Sequence, residues 1–355
     1  MNLLERRLAM QHVSGAPMDS PSQVVELLGA VQSQDYIGAK WSLGLRVRAA
    51  TDQAIDAAFS QGTFLRTHVL RPTWHFVSPN DIRWMLQLTA PHVHALNAYY
   101  YRQTEVDAAV FTRCMKLLTK ALEAQELTRK EVAAIFNRHG IETNTLRLAV
   151  IMMRAELDAI VCSGAMRGKQ HTYALLARRA PNAKTIPRDE ALGELARRFF
   201  TGHAPATLKH FVWWSGLSVK DAKAGLELVR TQLRGETIDD QVFWSGPTRH
   251  ATRTSMKAYL VPEYDEALTG ARDLGSLDLP SAPRRRKWSD SWYRPIIVNG
   301  RRAGTWRRTI GKSLLIETNL FTKLTHVQEK AVCAAAARYG RFLGLAASVA
   351  PHSPR

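Results

Sequence analysis

The stretch "PATLKHFVWWSGLSVKDAKAGLELV", residues 205–229, decides the fold class of this chain. Its residues read as two helices separated by a break at Ser215 and Gly216, and Ser218, with Asp221 three positions later, can cap the second helix. The strand-like run "IDDQVFWSG" follows. Two helices joined by a short turn and followed by a hairpin are typical of a winged helix-turn-helix, so we predict such a module here.

The same order of elements can be drawn twice more, less regularly, towards the N-terminus. Ser20 and Gln23 form a capping box that opens a helix, and "TFLRTHVLRPTWHFV" later predicts a pair of strands. Thr128 and Glu131 cap another helix, which is followed by a long apolar helix over residues 145–164 and by the strand-like "AMRGKQHTYALL". The alternative is an ordinary α+β protein in which short turns join helices.

The sequence changes character after residue 254. Residues 268–292 are rich in Gly, Ser, Pro and charge and predict a long loop. Asn299-Gly300 lies between two strand-like runs and predicts a two-residue hairpin, and a final helix is expected over 325–343. We therefore predict an α+β, mostly helical protein of four units: winged-helix module 1 (1–110), module 2 (111–186), module 3 (187–255), and C-terminal strands with a basic hairpin and a closing helix (256–355).

The net charge favours a polyanionic partner. The chain holds 49 Lys plus Arg against 31 Asp plus Glu, a net charge of +18. Such an excess suits a nucleic acid, although an anionic membrane surface or solubility alone would also account for it. No run approaches the roughly 18 uncharged apolar residues of a membrane span, so we expect a cytoplasmic protein without membrane contact.

No pattern indicates a metal site. The three cysteines, Cys114, Cys162 and Cys333, are far apart and lack a Cys-x-x-Cys spacing. The twelve histidines show no His-Glu-x-x-His or other ligand spacing. We expect buried thiols and no metal or cofactor.

Cations surround the predicted C-terminal hairpin. They alternate with Trp306 in a manner typical of nucleic-acid contacts, although charged runs are often only solvated faces. The predicted DNA-binding residues are Arg284, Arg285, Arg286, Lys287, Arg301, Arg302, Arg307 and Arg308.

Two glutamines end an apolar run in "AVQSQDYIGAKW", residues 30–41. On a helix, Gln32 and Gln34 would point some 200° apart, whereas in extended backbone they project to the same side. The pair converges only if the preceding helix stops near Val31. An amide donates and accepts hydrogen bonds at once, which suits it to holding a water molecule.

Five motifs, in this order along nearly the whole chain, resemble the AlkZ family of bacterial DNA glycosylases. They are "QSQD", "RPTWHFVSPNDI" (71–82), "PATLKHFVWWSGLSVKDAK" (205–223), "YLVPEYDEAL" (259–268) and "VNGRRAGTWRR" (298–308). The resemblance implies tandem winged helices wrapped into a C-shaped DNA-binding channel. It also implies metal-free excision of N7-alkylated purines, with some members unhooking interstrand crosslinks.

The family's catalytic signature is Gln, an aliphatic residue and Gln, which places the catalytic role on Gln32 and Gln34. Ser33 departs from the aliphatic middle position. The assignment is chemically consistent because N7 alkylation already makes the base a cation, which leaves neutral and needs no general acid. What remains is to position a water molecule and to stabilise an oxocarbenium-like sugar, which two amide carbonyls can do.

Four further residues are candidates for lining the channel. Thr73 and His75 share a face of a predicted strand, and Trp41 could stack on a lesion or belong to the core. Asp35 could activate water, but the alternation directs it away from the glutamines and favours a local cap or salt bridge.

Two other classes of function stay open. A transcription regulator is the main alternative, although regulators usually carry one winged helix per subunit, whereas three suggest enclosure of a duplex. A structural nucleoid protein would not need the glutamine pair. The expected partner is double-stranded DNA containing alkylated purines, bound by a monomer.

Overall fold

The computed structural model describes residues 2–247, 258–269 and 294–351, and it confirms the α+β class. Helices account for about half of the chain rather than for most of it. The helices are α1 (Leu3–Met10), α2 (Pro21–Leu28), α3 (Tyr36–Gly44), α4 (Asp52–Gln61), α5 (Ile82–Gln103), α6 (Ala108–Ala124), α7 (Arg129–Arg138), α8 (Thr145–Leu157), α9 (Leu176–Arg179), α10 (Arg188–Gly202), α11 (Leu208–Ser215), α12 (Val219–Val229) and α13 (His326–Leu343). Short 3-10 turns lie at Arg230–Gln232 and Glu266–Leu268.

The strands form four sheets. The strands are β1 (Ala30–Gln32), β2 (Leu65–His68), β3 (Trp74–Val77), β4 (Leu127–Thr128), β5 (Val161–Ser163), β6 (Thr172–Leu175), β7 (Arg234–Ile238), β8 (Gln241–Ser245), β9 (Ala258–Leu260), β10 (Pro295–Val298), β11 (Arg301–Ile310), β12 (Leu314–Leu320) and β13 (Ala347–Pro351). The sheet orders are β1-β3-β2, β4-β6-β5, β7-β8 and β13-β12-β11-β10-β9. The division into three winged-helix modules with the stated boundaries, and the C-shaped channel, remain predictions.

Residues 205–229 fold as the local signals in their sequence indicate. Helix α11 ends at Ser215, and Gly216 takes the left-handed conformation at φ 68° that ends helices. The Ser218 side chain accepts the N–H of Asp221 and starts α12. The hairpin β7-β8 follows, with a turn at Asp239 and Asp240 in which both residues have positive φ.

Gln32 ends a strand, and Gln34 follows it in a bend before α3. Helix α2 ends at Leu28, and Gly29 turns the chain at φ 74° into β1. Strand β1 pairs antiparallel with β3, so that Gln32 lies opposite His75. The helix thus stops before the pair, as convergence of the two side chains requires.

The long helix predicted over residues 145–164 is wrong at its C-terminal end. Helix α8 ends at Leu157, and the positive φ of 56° at Ala159 starts a turn into β5. Val161 and Cys162 are fully buried in the sheet with β6. Apolar periodicity alone does not separate a buried strand from the end of a buried helix, and the β-branched Val161 was the available signal.

The closing helix is confirmed as α13, but it does not end the fold. Gly344, at φ 69°, caps the helix, and β13 then pairs parallel with β12. Of the cysteines, Cys114 and Cys162 are buried as predicted, whereas Cys333 is exposed on α13.

One hydrophobic core joins the two ends of the chain. Trp41 and Phe59 from the N-terminal helices pack with Trp306 of β11 and Tyr339 of α13. Separate clusters lie around helices α10 to α12 and around α6 to α8. The glutamine strand is therefore supported by residues from both ends of the chain.

Candidate active site

The two glutamines are held by separate hydrogen bonds to their carbonyl oxygens. Gln32 is half-buried, and its Oε1 accepts from Nη2 of Arg71 at 3.3 Å. Gln34 is exposed, and its Oε1 accepts from the backbone N–H of Trp74, also at 3.3 Å. Between them, Ser33 is buried and donates its N–H to the carbonyl oxygen of Trp74 at 2.7 Å. Small, buried Ser33 thus ties the backbone between the two amides to β3.

A buried carboxylate anchors the backbone of Gln32. Glu266, 3% exposed, accepts the N–H of Gln32 at 2.8 Å and donors from the Nε2 of His203 and the Nε1 of Trp214, both at 3.0 Å. Burial alone would raise the pKa of Glu266, but the hydrogen bonds from His203 and from the N–H of Gln32 outweigh it and lower that pKa to about 2. Glu266 is therefore ionised at neutral pH.

Glu266 is not among the site residues predicted from the sequence. A signal was present, because "YLVPEYDEAL" places acids directly after an apolar strand-like run. Its partner could not be found from the sequence, since Gln32 lies 234 positions away.

Gln34 opens onto a cleft of about 730 Å³. Trp74 is its central aromatic residue: the Arg66 guanidinium lies 4.3 Å from the Trp74 ring centroid, and the His68 ring centroid is also at 4.3 Å. Glu156 is buried beneath them, bonded to His68 and 3.5 Å from Nε1 of Trp74. The other residues around the cleft include Tyr36, Arg129, Lys130, Asn144, Gln170, His171 and Tyr173.

Gln32 borders a different space. It lines a crevice of about 10 Å³ together with Asp35, Ser42 and Glu263. The two amides therefore face different spaces. Gln34 faces an open cleft that can admit a planar group, and Gln32 faces a crevice about the size of a water molecule.

A family model for "DNA glycosylase AlkZ-like" matches residues 25–342, which include both glutamines and Glu266. The chain belongs to the AlkZ-like family of DNA glycosylases. The predicted resemblance is confirmed, and the enzyme class is that of hydrolases acting on N-glycosyl bonds.

Two comparisons agree with this family. The "Interstrand DNA cross-link repair glycosylase" of Streptomyces sahachiroi is 23% identical over 367 residues, covering 96% of this chain and 95% of that protein. The structure of the Streptomyces sahachiroi DNA glycosylase AlkZ superposes with a TM-score of 0.78 at 21% identity, covering 98% of each chain. The second comparison shows that the two chains share a fold.

His75 and Thr73 do not line the cleft of this family member. His75 is fully buried, and its Nδ1 lies 2.9 Å from the carbonyl oxygen of Thr73. Thr73 precedes β3, which begins at Trp74, and its Oγ1 is buried. The predicted shared strand face is therefore wrong for Thr73, and His75 is a structural residue behind the glutamine strand.

Asp35 forms the salt bridge that the sequence favoured. Its carboxylate contacts the guanidinium of Arg308 at 3.0 Å and that of Arg294 at 3.4 Å. The Arg308 side chain is 9% exposed and also reaches the Tyr339 hydroxyl at 3.2 Å. The structure thus corrects the assignment of Arg308: its charge is engaged by Asp35 inside the fold.

Trp41 and Trp306 are core residues. Trp41 is 1% exposed and donates from Nε1 to the carbonyl oxygen of Leu260 at 2.7 Å, so its assignment to the channel is wrong. Trp306 is fully buried and donates to Val261 at 3.0 Å. The aromatic residue of the basic hairpin therefore lies in the core and is not available to DNA.

The remaining cations of the hairpin differ in exposure. Arg301 is exposed, whereas Arg302 and Arg307 are half-buried. The Arg302 guanidinium lies 5.1 Å from the ring centroid of Phe321. The other predicted DNA-binding residues, Arg284, Arg285, Arg286 and Lys287, lie outside the described residues, so they stay a prediction.

No metal cluster is present in the part of the chain that the structure describes, by the criterion of three or more His, Cys, Asp or Glu side chains placed to share an ion. Over the same residues, no helix is long and apolar enough to cross a membrane.

Two histidines with lowered pKa values, the buried His75 and the half-buried His171, predict that the fold weakens in mild acid. Burial and the nearby Arg71 lower the pKa of His75 to about 3, and burial and Arg66 lower that of His171 to about 4. Unfolding returns both imidazoles to a pKa near 6.5, so the unfolded chain takes up protons that the native state does not. Stability is complete above about pH 6.5 and falls as the pH decreases towards 4 and 3.

Thermal unfolding between pH 7.5 and pH 4.5 checks this expectation. The His75→Asn variant keeps an amide donor for Thr73 but cannot titrate, so its unfolding free energy should fall less steeply, by up to one proton. An unfolding midpoint that stays constant over this range would contradict the assignment of His75 and His171 as neutral in the folded protein.

Proposed function

We propose that this protein hydrolyses the N-glycosidic bond of N7-alkylated, cationic purines in double-stranded DNA. In this proposal Gln32 and Gln34 position the attacking water and stabilise the developing charge on the sugar. The observation that carries it is the pair of amides, fixed by Arg71 and the Trp74 backbone, with Gln34 at an open cleft and Gln32 at a narrow crevice. Family membership gives the reaction class.

The charges around the pair support a substrate that is already cationic. A neutral purine would need a proton donor at the leaving base. The carboxylate that accepts the N–H of Gln32, that of Glu266, is ionised, and His75 is held neutral by burial. Neither group can supply that proton at neutral pH, whereas an N7-alkylated base leaves as a neutral molecule without one.

Each glutamine keeps capacity for the reaction. An amide oxygen has two lone pairs, and the bonds from Arg71 and Trp74 use one on each residue. The second lone pair can accept from a water molecule or lie against the anomeric carbon, where its partial negative charge stabilises an oxocarbenium-like state. The fixed carbonyls need no reorganisation at the moment of reaction.

We also propose how the winged-helix modules surround the DNA, and a second kind of lesion as substrate. Three winged-helix modules in a C-shaped arrangement would enclose the duplex, with the net charge of +18 attracting its phosphates and one chain acting as a monomer. The relative from Streptomyces sahachiroi is named for interstrand cross-link repair, and we extend that substrate class to this chain as a second kind of lesion.

The decisive experiment uses a duplex with one site-specific N7-methylguanine. With enzyme in excess, we expect free N7-methylguanine and an equal amount of abasic sites, and no release from the matched undamaged duplex. A second duplex carries a bulkier N7 adduct. Failure to release either base would contradict the proposal, and strong preference for one undamaged sequence would instead indicate a regulator.

A further inference from the structure

Helix α11 carries two adjacent tryptophans with opposite environments. Trp214 is fully buried and donates to Glu266, whereas Trp213 is 53% exposed. The buried ring holds the helix against the glutamine strand through Glu266, which also binds the N–H of Gln32. The position of Trp213 is thereby linked to that of Gln32.

Arg71 connects the exposed ring to the catalytic candidate directly. Its guanidinium carbon lies 4.2 Å from the Trp213 ring centroid, which is a stacking distance, and its Nη2 donates to Oε1 of Gln32 at 3.3 Å. Trp213, Arg71 and Gln32 therefore form a continuous row. Trp213 is the exposed end of this row, and Gln32, to which we assign water positioning, is the other end.

The row is held rigidly by close backbone packing. A Cβ atom on Gly216, at the end of α11, would lie 2.3 Å from the carbonyl oxygen of Leu70. The turn after α11 therefore rests on the backbone just before Arg71. Because no side chain separates the two segments, the distance from Trp213 to Gln32 has little freedom to change.

We propose that Trp213, with Arg71 behind it, is a stacking site for a neutral nucleobase of the bound DNA next to the lesion. The inference rests on the proposed function and names a substrate contact for it. Aromatic side chains stack on any base whose face is free, and faces become free where a lesion interrupts the regular stack. Arg71 already covers one face of the ring, so a second cation on the other face is disfavoured, and the occupant is a neighbouring base rather than the cationic purine.

The test uses a duplex with a stable tetrahydrofuran abasic analogue and 2-aminopurine as the adjacent base. Stacking of Trp213 should quench the 2-aminopurine fluorescence on binding. We expect Trp213→Ala to lose most of the quenching and about 10- to 100-fold of the affinity, and Trp213→Phe to stay within a few-fold of the wild type. The control is Tyr99→Ala, which removes an aromatic side chain, 60% exposed, from α5.

Each outcome decides the inference separately from the proposed function. If Trp213→Ala binds and quenches like the wild type, or if Tyr99→Ala loses as much, stacking at Trp213 is overturned even when N7-methylguanine is still released. If the wild type releases no base but Trp213→Ala alone loses quenching, the stacking site stands and the glycosylase proposal fails. An equal loss in Trp213→Ala and Trp213→Phe also overturns stacking, because phenylalanine keeps an aromatic face.

Discussion

Replacing Gln34 with alanine is expected to slow base release by about 100- to 1,000-fold under single-turnover conditions, the usual effect of removing one preorganised polar group from an active site. Gln34 is exposed at the cleft, and among the described residues its side chain takes part in one hydrogen bond, from the Trp74 backbone at 3.3 Å. Its loss should therefore act on the reaction rather than on folding. Gln32→Ala is expected to have an effect of similar size.

The double variant distinguishes joint action from two separate roles. If both amides hold one water molecule, Gln32→Ala/Gln34→Ala should be little slower than the worse single variant, because residues that act as a unit are not additive. Binding to the tetrahydrofuran duplex and the unfolding midpoint of Gln34→Ala serve as controls and should match the wild type. Release by Gln34→Ala at the wild-type rate would remove the pair from the mechanism.

Glu266→Gln is expected to destabilise the protein by about 3 to 5 kcal/mol, the cost typical of breaking a buried charged network. The carboxylate accepts from Gln32, His203 and Trp214, and an amide of the same shape directs its NH₂ group at one of these donors. Chemical denaturation at neutral pH measures the loss. Base release should also fall at a temperature where the variant is folded, since Gln32 loses its backbone anchor.

Glu263→Gln is the matched control, with the same substitution three residues away. Glu263 is 21% exposed and lies 3.8 Å from Arg294, so its loss should change stability by about 0 to 1 kcal/mol. The pH dependence gives an independent check: the lowered pKa of Glu266, about 2 against 4.5, stabilises the fold above pH 4.5 and is lost as the pH falls towards 2. The share of that decline that comes from Glu266, up to one proton, should be absent in Glu266→Gln. Equal stability of the two variants would contradict the anchoring role.

The features that the sequence predicted correctly depend on neighbours within a few positions. The capping boxes at Ser20 and Thr128 formed as predicted. Asn299 and Gly300, at φ 51° and 67°, make the two-residue turn between β10 and β11. The end of α2 before the glutamines follows from Gly29 in the same way. Caps and tight turns are local, so their residues are sufficient to specify them.

The features that the sequence missed depend on distant partners. The sequence predicts Arg308 as a DNA contact, but Arg308 forms a salt bridge with Asp35, 273 positions away. Trp41 is in the core because α13 and the C-terminal sheet cover it. Residue type fixes the charge or the apolar area of a side chain, but burial and partner are decided by which elements pack together.

These contacts between distant parts of the sequence determine when the candidate site can form during synthesis. Gln32 and Asp35 leave the ribosome early, yet Glu266 and Arg308, which secure them, emerge 234 and 273 residues later. Domains generally fold as units during synthesis, N-terminal parts first. A nascent chain synthesised only as far as β8 therefore displays the glutamines without these supports, which become available only after the segments that carry Glu266 and Arg308 have been made.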